Sequence, residues 1–302
     1  MVVYLPSSLL YLKNFHYYIY LDLCYIIKGI IITMIIVITK KWGVNVMKKF
    51  GLITLFLVLT LFIAACGTDK TASESGKSEK VYKVGVDTTY PPFEFKEGDE
   101  YKGIDIELIN AIAKNQGFEI ELSPMDFGGI IPAMQANQLD VAIAGMSITD
   151  DRKKIVDFST PYFDAGLIVV VKEDNSTIKS VDDLKGKKVA VKKGTTGAKY
   201  AVDNADKLGI EVVQFNDSPA MFQEVSNGNA DALIEDYPVI SYAIAQKDLG
   251  LKLVGDRLNG DQYGIAVLKG ENKELLEKIN NGLAELKKDG TYDKILKTYL
   301  GE

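Results

Sequence analysis

Short apolar runs typical of strands alternate with helix-like segments from Val81 to the end of the chain, and this alternation predicts an α/β fold. The runs "VYKVGVD", "FEIELSP" and "DVAIAG" are strand-like, and "FEFKEGDEYKG" has the pattern of a hairpin around its EGD triplet. Ile104, Leu108 and Ile112 recur every four residues, which predicts a helix ended by Gly117. After "YFDAGLIVVVKED" the alternation begins again, so we expect two α/β units.

The second unit has its own set of strands and helices. Ser180 to Asp183 has the spacing of a capping box, and "KKVAVKKG" is a strand that opens onto "GTTG" and a helix through Leu208. The strand "EVVQF", a helix over 218–227 and the strand "ADALIED" complete this unit. The final helix, predicted over 272–289, carries four apolar residues on one face, and the tail that contains it returns to the first unit: Leu276, Ile279, Leu283 and Leu286.

The stretch "AIAGMSITDDRKK", residues 142–154, is a candidate anion site. A strand ends at Gly145, Ser147 offers a hydroxyl, and Arg152 follows in the first turn of a predicted helix. Helix N-termini and guanidinium groups both attract anions. Taken alone, the stretch is equally consistent with an ordinary strand, turn and capped helix.

Composition excludes several function classes. The net charge of the 302 residues is −6, which argues against nucleic acid as a partner. Cys24, Cys66 and His16 are the only cysteines and histidine, so residues 67–302 contain no Cys or His ligand and no Ser-His-Asp or Cys-His pair. We therefore expect no metal, no cofactor and no enzyme activity.

The first 80 residues have the pattern of a targeting segment and a linker rather than of a folded domain. Residues 47–65 begin with two lysines, continue as an apolar run and end in small residues, which is typical of a signal peptide. The ending "IAAC" resembles a bacterial lipobox, which implies lipidation of Cys66; the alternative is a signal peptide that ends near a buried cysteine. Residues 66–80 then form a flexible tether. Residues 1–46 are interpreted as an over-extended reading frame or an extra apolar segment.

The motifs together resemble one family, the amino-acid-binding proteins of ABC importers in the periplasmic-binding-protein type II group, with the glutamine-binding members closest. The motifs are "DTTYPPFEF", "GIDIELINAIAK", "MDFGGIIPAMQ", "AGMSITDDRKKIVDFSTPYF", "VAVKKGTTG", "ADALIEDYP" and "GTYDKILKTYLG". The resemblance covers about 81–301 and implies two lobes with the ligand between them. Lobe 1 would comprise 81–164 and 265–302, and lobe 2 would comprise 165–264. The two hinge crossings would lie near 163–167 and 260–264.

The same resemblance implies a site for an α-amino acid. Arg152 would bind the ligand carboxylate, together with the hydroxyl of Ser147 and nearby backbone N–H groups. Asp236, in the opposite lobe, would bind the ammonium group with help from the carbonyl of Gly145, and Ala144 belongs to the same segment. A second role for Asp236 is an N-cap of the following helix.

The remaining site residues would surround the ligand side chain. Tyr90 and Phe127 would form apolar walls, although Phe127 has an alternative place in the core. Thr196 would contribute a hydroxyl or N–H group. Asp87 would accept from an amide and Lys192 would donate to it, which matches glutamine and repels charged side chains. Lys192 could instead point to solvent, and Glu235 adds a charge that could admit another polar ligand. The alternative ligands are glutamate, asparagine and arginine.

The resemblance therefore implies a lipid-anchored protein on the outer face of the bacterial cell membrane. Its partners would be the ligand, the membrane through its anchor, and the transmembrane permease subunits with their cytoplasmic ATPase. Two other classes share the fold. A dehydratase would need a positioned acid and base, for which this sequence offers only Asp, Glu and Lys. A sensory domain would continue into a transmembrane helix and a signalling module, and the given sequence ends at Glu302 without either.

Overall fold

A computed structural model describes residues 80–301 of the chain. The predicted signal peptide, Cys66, nearly all of the tether and residues 1–46 lie outside the described residues, so these interpretations stay predictions.

The described residues form an α/β fold, as predicted. The strands are β1 (Val81–Val86), β2 (Thr89–Tyr90), β3 (Glu94–Glu97), β4 (Glu100–Lys102), β5 (Glu119–Pro124), β6 (Val141–Ala142), β7 (Val156–Phe158), β8 (Phe163–Asp164), β9 (Leu167–Lys172), β10 (Lys188–Lys192), β11 (Glu211–Phe215), β12 (Ala232–Asp236), β13 (Leu251–Val254), β14 (Gln262–Tyr263) and β15 (Ala266–Leu268). The helices are α1 (Ile104–Gln116), α2 (Phe127–Gln135), α3 (Thr196–Asp203), α4 (Ala205–Leu208), α5 (Ser218–Ser226), α6 (Tyr237–Gln246), α7 (Lys273–Asp289) and α8 (Thr291–Leu300).

The first lobe is built on a five-stranded sheet in the order β5-β1-β6-β15-β7. Strands β5, β1 and β6 are parallel, and β15 runs antiparallel to both of its neighbours. Helices α1 and α7 pack together beside this sheet because each buries an apolar face, with Ile112 of α1 closely approaching Gly282 of α7.

The second lobe repeats this plan with the order β11-β10-β12-β9-β13. Strands β11, β10 and β12 are parallel, while β9 runs antiparallel to β12 and β13. Its central strands β9, β10 and β12 are buried along most of their length, as expected for strands covered on both faces of the sheet.

A separate pair of strands lies between the two sheets in the sequence. Strands β8 and β14 are antiparallel, with Phe163 opposite Tyr263 and Asp164 opposite Gln262. These strands fall within the two predicted hinge crossings. The chain therefore crosses from one lobe to the other twice, and the two crossing segments are short, extended and paired with each other.

Two helices differ from the sequence-based prediction. The helix expected to begin near Arg152 is a single 3-10 turn, Arg152–Lys154, so the prediction of a helix N-terminus behind Ser147 is wrong. The helix expected to continue through Leu208 is interrupted at Asn204, whose side-chain amide donates to the Tyr200 carbonyl and competes with the helical pattern.

Within residues 80–301, no helix has both the length and the apolar character needed to cross a membrane. The same residues contain no cluster of three or more His, Cys, Asp or Glu side chains suited to holding a metal ion.

Candidate functional site

The polar residues at the strand ends converge where the two lobes face each other. In the first lobe, Asp87 follows β1 and Gly145 follows the short strand β6. In the second lobe, β10 ends in Lys192 and β12 ends in Asp236. The carboxyl ends of parallel strands are the usual ligand-binding edge of an open α/β sheet. Here two such edges contribute to one cleft.

The cleft contains a small cavity between the two lobes. Eight of the ten residues predicted to bind ligand line it, together with Thr195, which the sequence reasoning missed: Tyr90, Phe127, Gly145, Ser147, Arg152, Lys192, Thr195, Thr196 and Asp236.

Arg152 is held in the cavity by backbone acceptors from both lobes. The residue is only 9% exposed. Its guanidinium donates to the Ser147 carbonyl at 2.7 Å and to the Gly194 carbonyl at 3.0 Å. The guanidinium lies 5.2 Å from the centre of the Phe127 ring, within cation–π range. These contacts fix the planar guanidinium at the cavity wall, where it can bind a carboxylate.

Asp236 lies on the opposite side of the cavity and accepts two tyrosine hydroxyls. Tyr90 donates to Asp236 Oδ2 at 2.7 Å and Tyr263 donates to the same oxygen at 2.5 Å. Burial raises the pKa of the Asp236 carboxyl, while both hydrogen bonds act in the opposite direction. The residue occupies the N-cap position of α6, but its side chain makes no capping hydrogen bond. Its carboxylate is therefore directed into the site rather than towards the helix.

Lys192 is buried and paired, not exposed. Only 1% of the residue is accessible, and its ammonium group forms an ion pair with Asp87 across the cleft. The ammonium also lies 4.5 Å from the centre of the Tyr90 ring. Lys193, the next residue, is the one that faces outward, where it donates to Asn216. The alternative in which Lys192 points to solvent is therefore wrong.

Asp87 and Ala144 are the two predicted residues that lie outside the cavity lining. Asp87 Oδ1 accepts from the N–H groups of Thr88 and Thr89 and from the Thr89 hydroxyl, so only Oδ2 is directed to Lys192. Ala144 is fully buried in a core cluster, because its side chain packs inward from the segment that presents Gly145. No ligand contact through the Ala144 side chain follows from this placement.

Phe127 and Thr196 occupy positions that combine structural and site roles. Phe127 is the first residue of α2, belongs to a core cluster and also lines the cavity. Thr196 begins α3, and Thr195 before it caps the helix by accepting from the Ala198 N–H at 3.1 Å.

Glu235 lies beside the cavity without lining it. The residue is 3% exposed, and the hydroxyl of Ser218 donates to its carboxylate at 3.2 Å. Burial, with the nearby charge of Asp236, raises the pKa of Glu235 to about 7. This carboxyl therefore holds its proton to a higher pH than an exposed glutamate does.

Tyr263 was not predicted as a site residue, although it lies in a predicted hinge crossing. It is fully buried, forms an isolated backbone bridge with Ser147 and donates to Asp236. A single aromatic residue in the hinge segment was the available sequence signal. The hydroxyl contact could be recognised only after β14 was placed beside the site.

The backbones of the two lobes approach closely at one edge of the cleft. A Cβ atom added to Gly194 would lie 2.8 Å from the Cα of Gly128. With the Arg152–Gly194, Tyr90–Asp236 and Lys192–Asp87 contacts, this approach defines a closed conformation.

Two α/β lobes joined by paired hinge strands, with a charged cleft at their strand ends, define the class of two-lobed solute-binding proteins. Residues 82–302 match the model of the bacterial extracellular solute-binding proteins, family 3. The chain belongs to this family.

Similar proteins support this assignment over most of the chain. The arginine-binding extracellular protein ArtP of Bacillus subtilis is 35% identical over 254 residues, which cover 84% of this chain and 98% of ArtP. The glutamine-binding protein GlnH of the same organism is 33% identical, with coverage of 85% and 98%. A solved structure described as an ancestral arginine-binding protein bound to glutamine is 50% identical with a TM-score of 0.68, and the match covers 74% of this chain and 98% of that one.

Proposed function

We propose that the protein captures a polar L-amino acid between its lobes, with L-glutamine as the preferred ligand, and delivers it to an ABC importer. The observation that carries this proposal is one cavity with Arg152 on one wall, Asp236 on the other, and the Lys192–Asp87 pair beside them. The relatives named for arginine and glutamine binding agree with an amino-acid ligand.

Arg152 and Asp236 suit the two charged groups that every α-amino acid has. The guanidinium offers parallel N–H donors to the carboxylate, and the Asp236 carboxylate accepts from the ammonium. Because the two residues belong to different lobes, a bound amino acid contacts both lobes only when the cleft is closed. The ligand therefore has a higher affinity for the closed form, which is the condition for driving closure.

Lys192 and Asp87 suit a side-chain amide. A glutamine side chain has one NH₂ donor for Asp87 Oδ2 and one carbonyl acceptor for the Lys192 ammonium. A glutamate carboxylate would be repelled by Asp87, and a guanidinium or ammonium would be repelled by Lys192. In a buried site such repulsion strengthens selection for a neutral ligand.

L-Arginine is the second candidate, because Glu235 offers a further buried carboxyl near the site and several relatives are named for arginine. Deprotonation of Glu235 would favour a cationic side chain. The pKa of about 7 predicts that arginine gains relative to glutamine as pH rises through that value.

A thermal-shift screen with the twenty amino acids tests the proposal, followed by calorimetric titration of each ligand that stabilises the protein. Ligand at 100 times its Kd stabilises a folded protein by about 2.7 kcal/mol, so the tightest ligand gives the largest shift. L-Glutamine should rank first at pH 6. Arginine in first place would overturn the glutamine assignment, and no response to any amino acid would overturn the proposed ligand class.

The proposal includes attachment through a lipid on Cys66 and docking to the transmembrane permease subunits with their cytoplasmic ATPase. The family description as extracellular supports a location outside the cytoplasm. We assign no catalytic role. The relatives named above are binding proteins, and a dehydratase activity remains the alternative that an assay for turnover of small carboxylic acids would reveal.

A further inference from the structure

Two acidic residues, Glu94 and Asp105, lie together behind the wall of the cavity. Both are completely buried, and neither lines the cavity. Asp105 is the second residue of α1, and Glu94 begins β3 opposite Tyr90. Two buried carboxyl groups in contact are costly unless something neutralises them.

The fold brings these residues together through the backbone between them. The N–H of Ile104 donates to the Pro92 carbonyl and the N–H of Asp105 donates to the Phe93 carbonyl, both at 2.9 Å. Gly103 makes this approach possible, since a Cβ atom there would lie only 2.1 Å from the Phe93 oxygen. The first two residues of α1 are thus hydrogen-bonded to the residues directly before β3, the strand that begins with Glu94.

Asp105 makes the connection to the site. Its Oδ2 atom accepts from the backbone N–H of Gly145 at 2.7 Å and from the Tyr162 hydroxyl at 2.8 Å. Gly145 has φ of +52°, and a Cβ there would lie 2.7 Å from the Tyr90 ring. The cavity wall at Gly145 therefore has a left-handed backbone whose N–H is anchored from behind by Asp105.

The other carboxyl oxygens lack donors. Among the described residues, no N–H or O–H group donates to Asp105 Oδ1 or to either oxygen of Glu94. The charged groups that act on Glu94 are Asp105, Asp87 and Lys192, and the Lys192 ammonium is already paired with Asp87.

A single proton on Glu94 would remove the repulsion between the two buried carboxyl groups. If Glu94 is a neutral acid, its O–H can donate to the Asp105 carboxylate, and Asp105 keeps the charge that accepts from Gly145 and Tyr162. Burial, followed by the charges of Asp105 and Asp87, raises the pKa of Glu94 well above its ordinary value. Burial also raises the pKa of Asp105, but only to about 6, because its hydrogen bonds lower it.

We propose that Asp105 is a positioning residue of the amino-acid site: it anchors the Gly145 N–H, and Glu94 supplies the proton that lets Asp105 stay charged in the core. This inference rests on the proposed function and on the sequence-based expectation that the Gly145 carbonyl contacts the ligand ammonium. It adds residues that act on the ligand only through the backbone.

The first test compares four proteins by calorimetric titration with L-glutamine, and with L-arginine if glutamine does not bind. Asp105→Ala should raise Kd about tenfold or more, the loss expected when a hydrogen bond to a charged group disappears. Asp105→Asn keeps an oxygen for the Gly145 N–H and should retain most of the affinity. Glu107→Ala, an exposed acid on the same helix, is the matched control and should bind like the wild type.

Circular dichroism first establishes that each variant is folded. If Asp105→Ala does not fold, Asp105→Ser carries the test, because serine is too short to reach the Gly145 N–H. Wild-type affinity in a folded Ala or Ser variant would overturn the inference while leaving the proposed function intact. A wild-type protein that binds no amino acid would instead overturn the proposed function.

The second test detects the proton on Glu94 by measuring how the free energy of unfolding changes with pH. An acid whose folded pKa is raised contributes stability below its unfolded pKa and loses it as pH rises towards the folded pKa. The unfolding free energy of the wild type should therefore fall as pH rises above the ordinary glutamate pKa of 4.5, and Glu94→Gln should remove part of this fall. Glu97→Gln, on the same strand but exposed, is the control and should follow the wild type. Equal pH slopes for wild type and Glu94→Gln would show that Glu94 holds no such proton and would overturn its role.

Discussion

Replacing Lys192 by Met tests the origin of ligand selectivity. Methionine keeps an unbranched side chain of similar length but removes the ammonium that pairs with Asp87. Glutamine would lose a donor to its amide oxygen. Arginine would lose a repulsive neighbour and gain access to Asp87. We expect the preference to move from glutamine towards arginine.

The magnitude follows from the burial of the pair, whose side chains are 1% and 4% exposed. A hydrogen bond to a charged group contributes about 1.5–3 kcal/mol, so the Kd for glutamine should rise by about 10- to 150-fold. Removing one partner of a buried ion pair costs about 3–5 kcal/mol of stability. Because Asp87 Oδ1 keeps three hydrogen bonds, we expect a value near the lower end.

The assay is calorimetric titration of both amino acids into wild type, Lys192→Met and Lys193→Met, with circular dichroism to establish folding. Lys193 is adjacent and exposed and donates only to Asn216, so its replacement should leave both affinities unchanged. If Lys192→Met retains wild-type affinity for glutamine and continues to discriminate against arginine, the Lys192 ammonium is not the origin of ligand selectivity.

Three further predictions concern the carboxylate, the closure and the anchor. Arg152→Ala should abolish detectable amino-acid binding in calorimetry while the protein stays folded; an unchanged titration would contradict the role of the guanidinium. Gly128→Leu should weaken every ligand about tenfold or more, because a Cβ atom there would already lie 3.6 Å from the Lys193 carbonyl oxygen across the cleft and the rest of the leucine needs further room, whereas the control Gly129→Leu has only Met125 at 4.0 Å. Equal affinities in these two variants would exclude the backbone approach as a requirement for binding. Cys66→Ala should release the protein from bacterial membranes on fractionation, and continued retention would point to residues 1–46.

The alternation of strands and helices could be predicted because each element has its own local pattern. A run of five apolar residues marks β9, the apolar triplet Val-Ala-Val between lysines marks β10, and an apolar spacing of four marks α1. The 3-10 turn at Arg152 could not be predicted in this way. Its length depends on backbone and side-chain contacts with Thr149, Ser147 and Gly194 rather than on the neighbouring residues alone.

The sequence offered candidate site residues but not their pairings. The strand-end residues Asp87, Lys192 and Asp236 were identified as candidates through the family resemblance. Their mutual contacts were not, since Lys192 and Asp87 are 105 positions apart and Tyr90 and Asp236 are 146 apart. Tyr263 and Thr195 were missed for the same reason.

The order of residues along the chain is enough to predict two α/β units, to exclude Cys and His chemistry after residue 66, and to show which charged residues a ligand could meet. Tertiary packing buries Lys192 against Asp87, directs Asp236 to two tyrosines instead of to its helix, and brings Asp105 to Gly145. The physical reason is that residue type and local periodicity are properties of neighbours in the chain. Side-chain direction, burial and the proton shared by two carboxyl groups depend on which distant segments pack together.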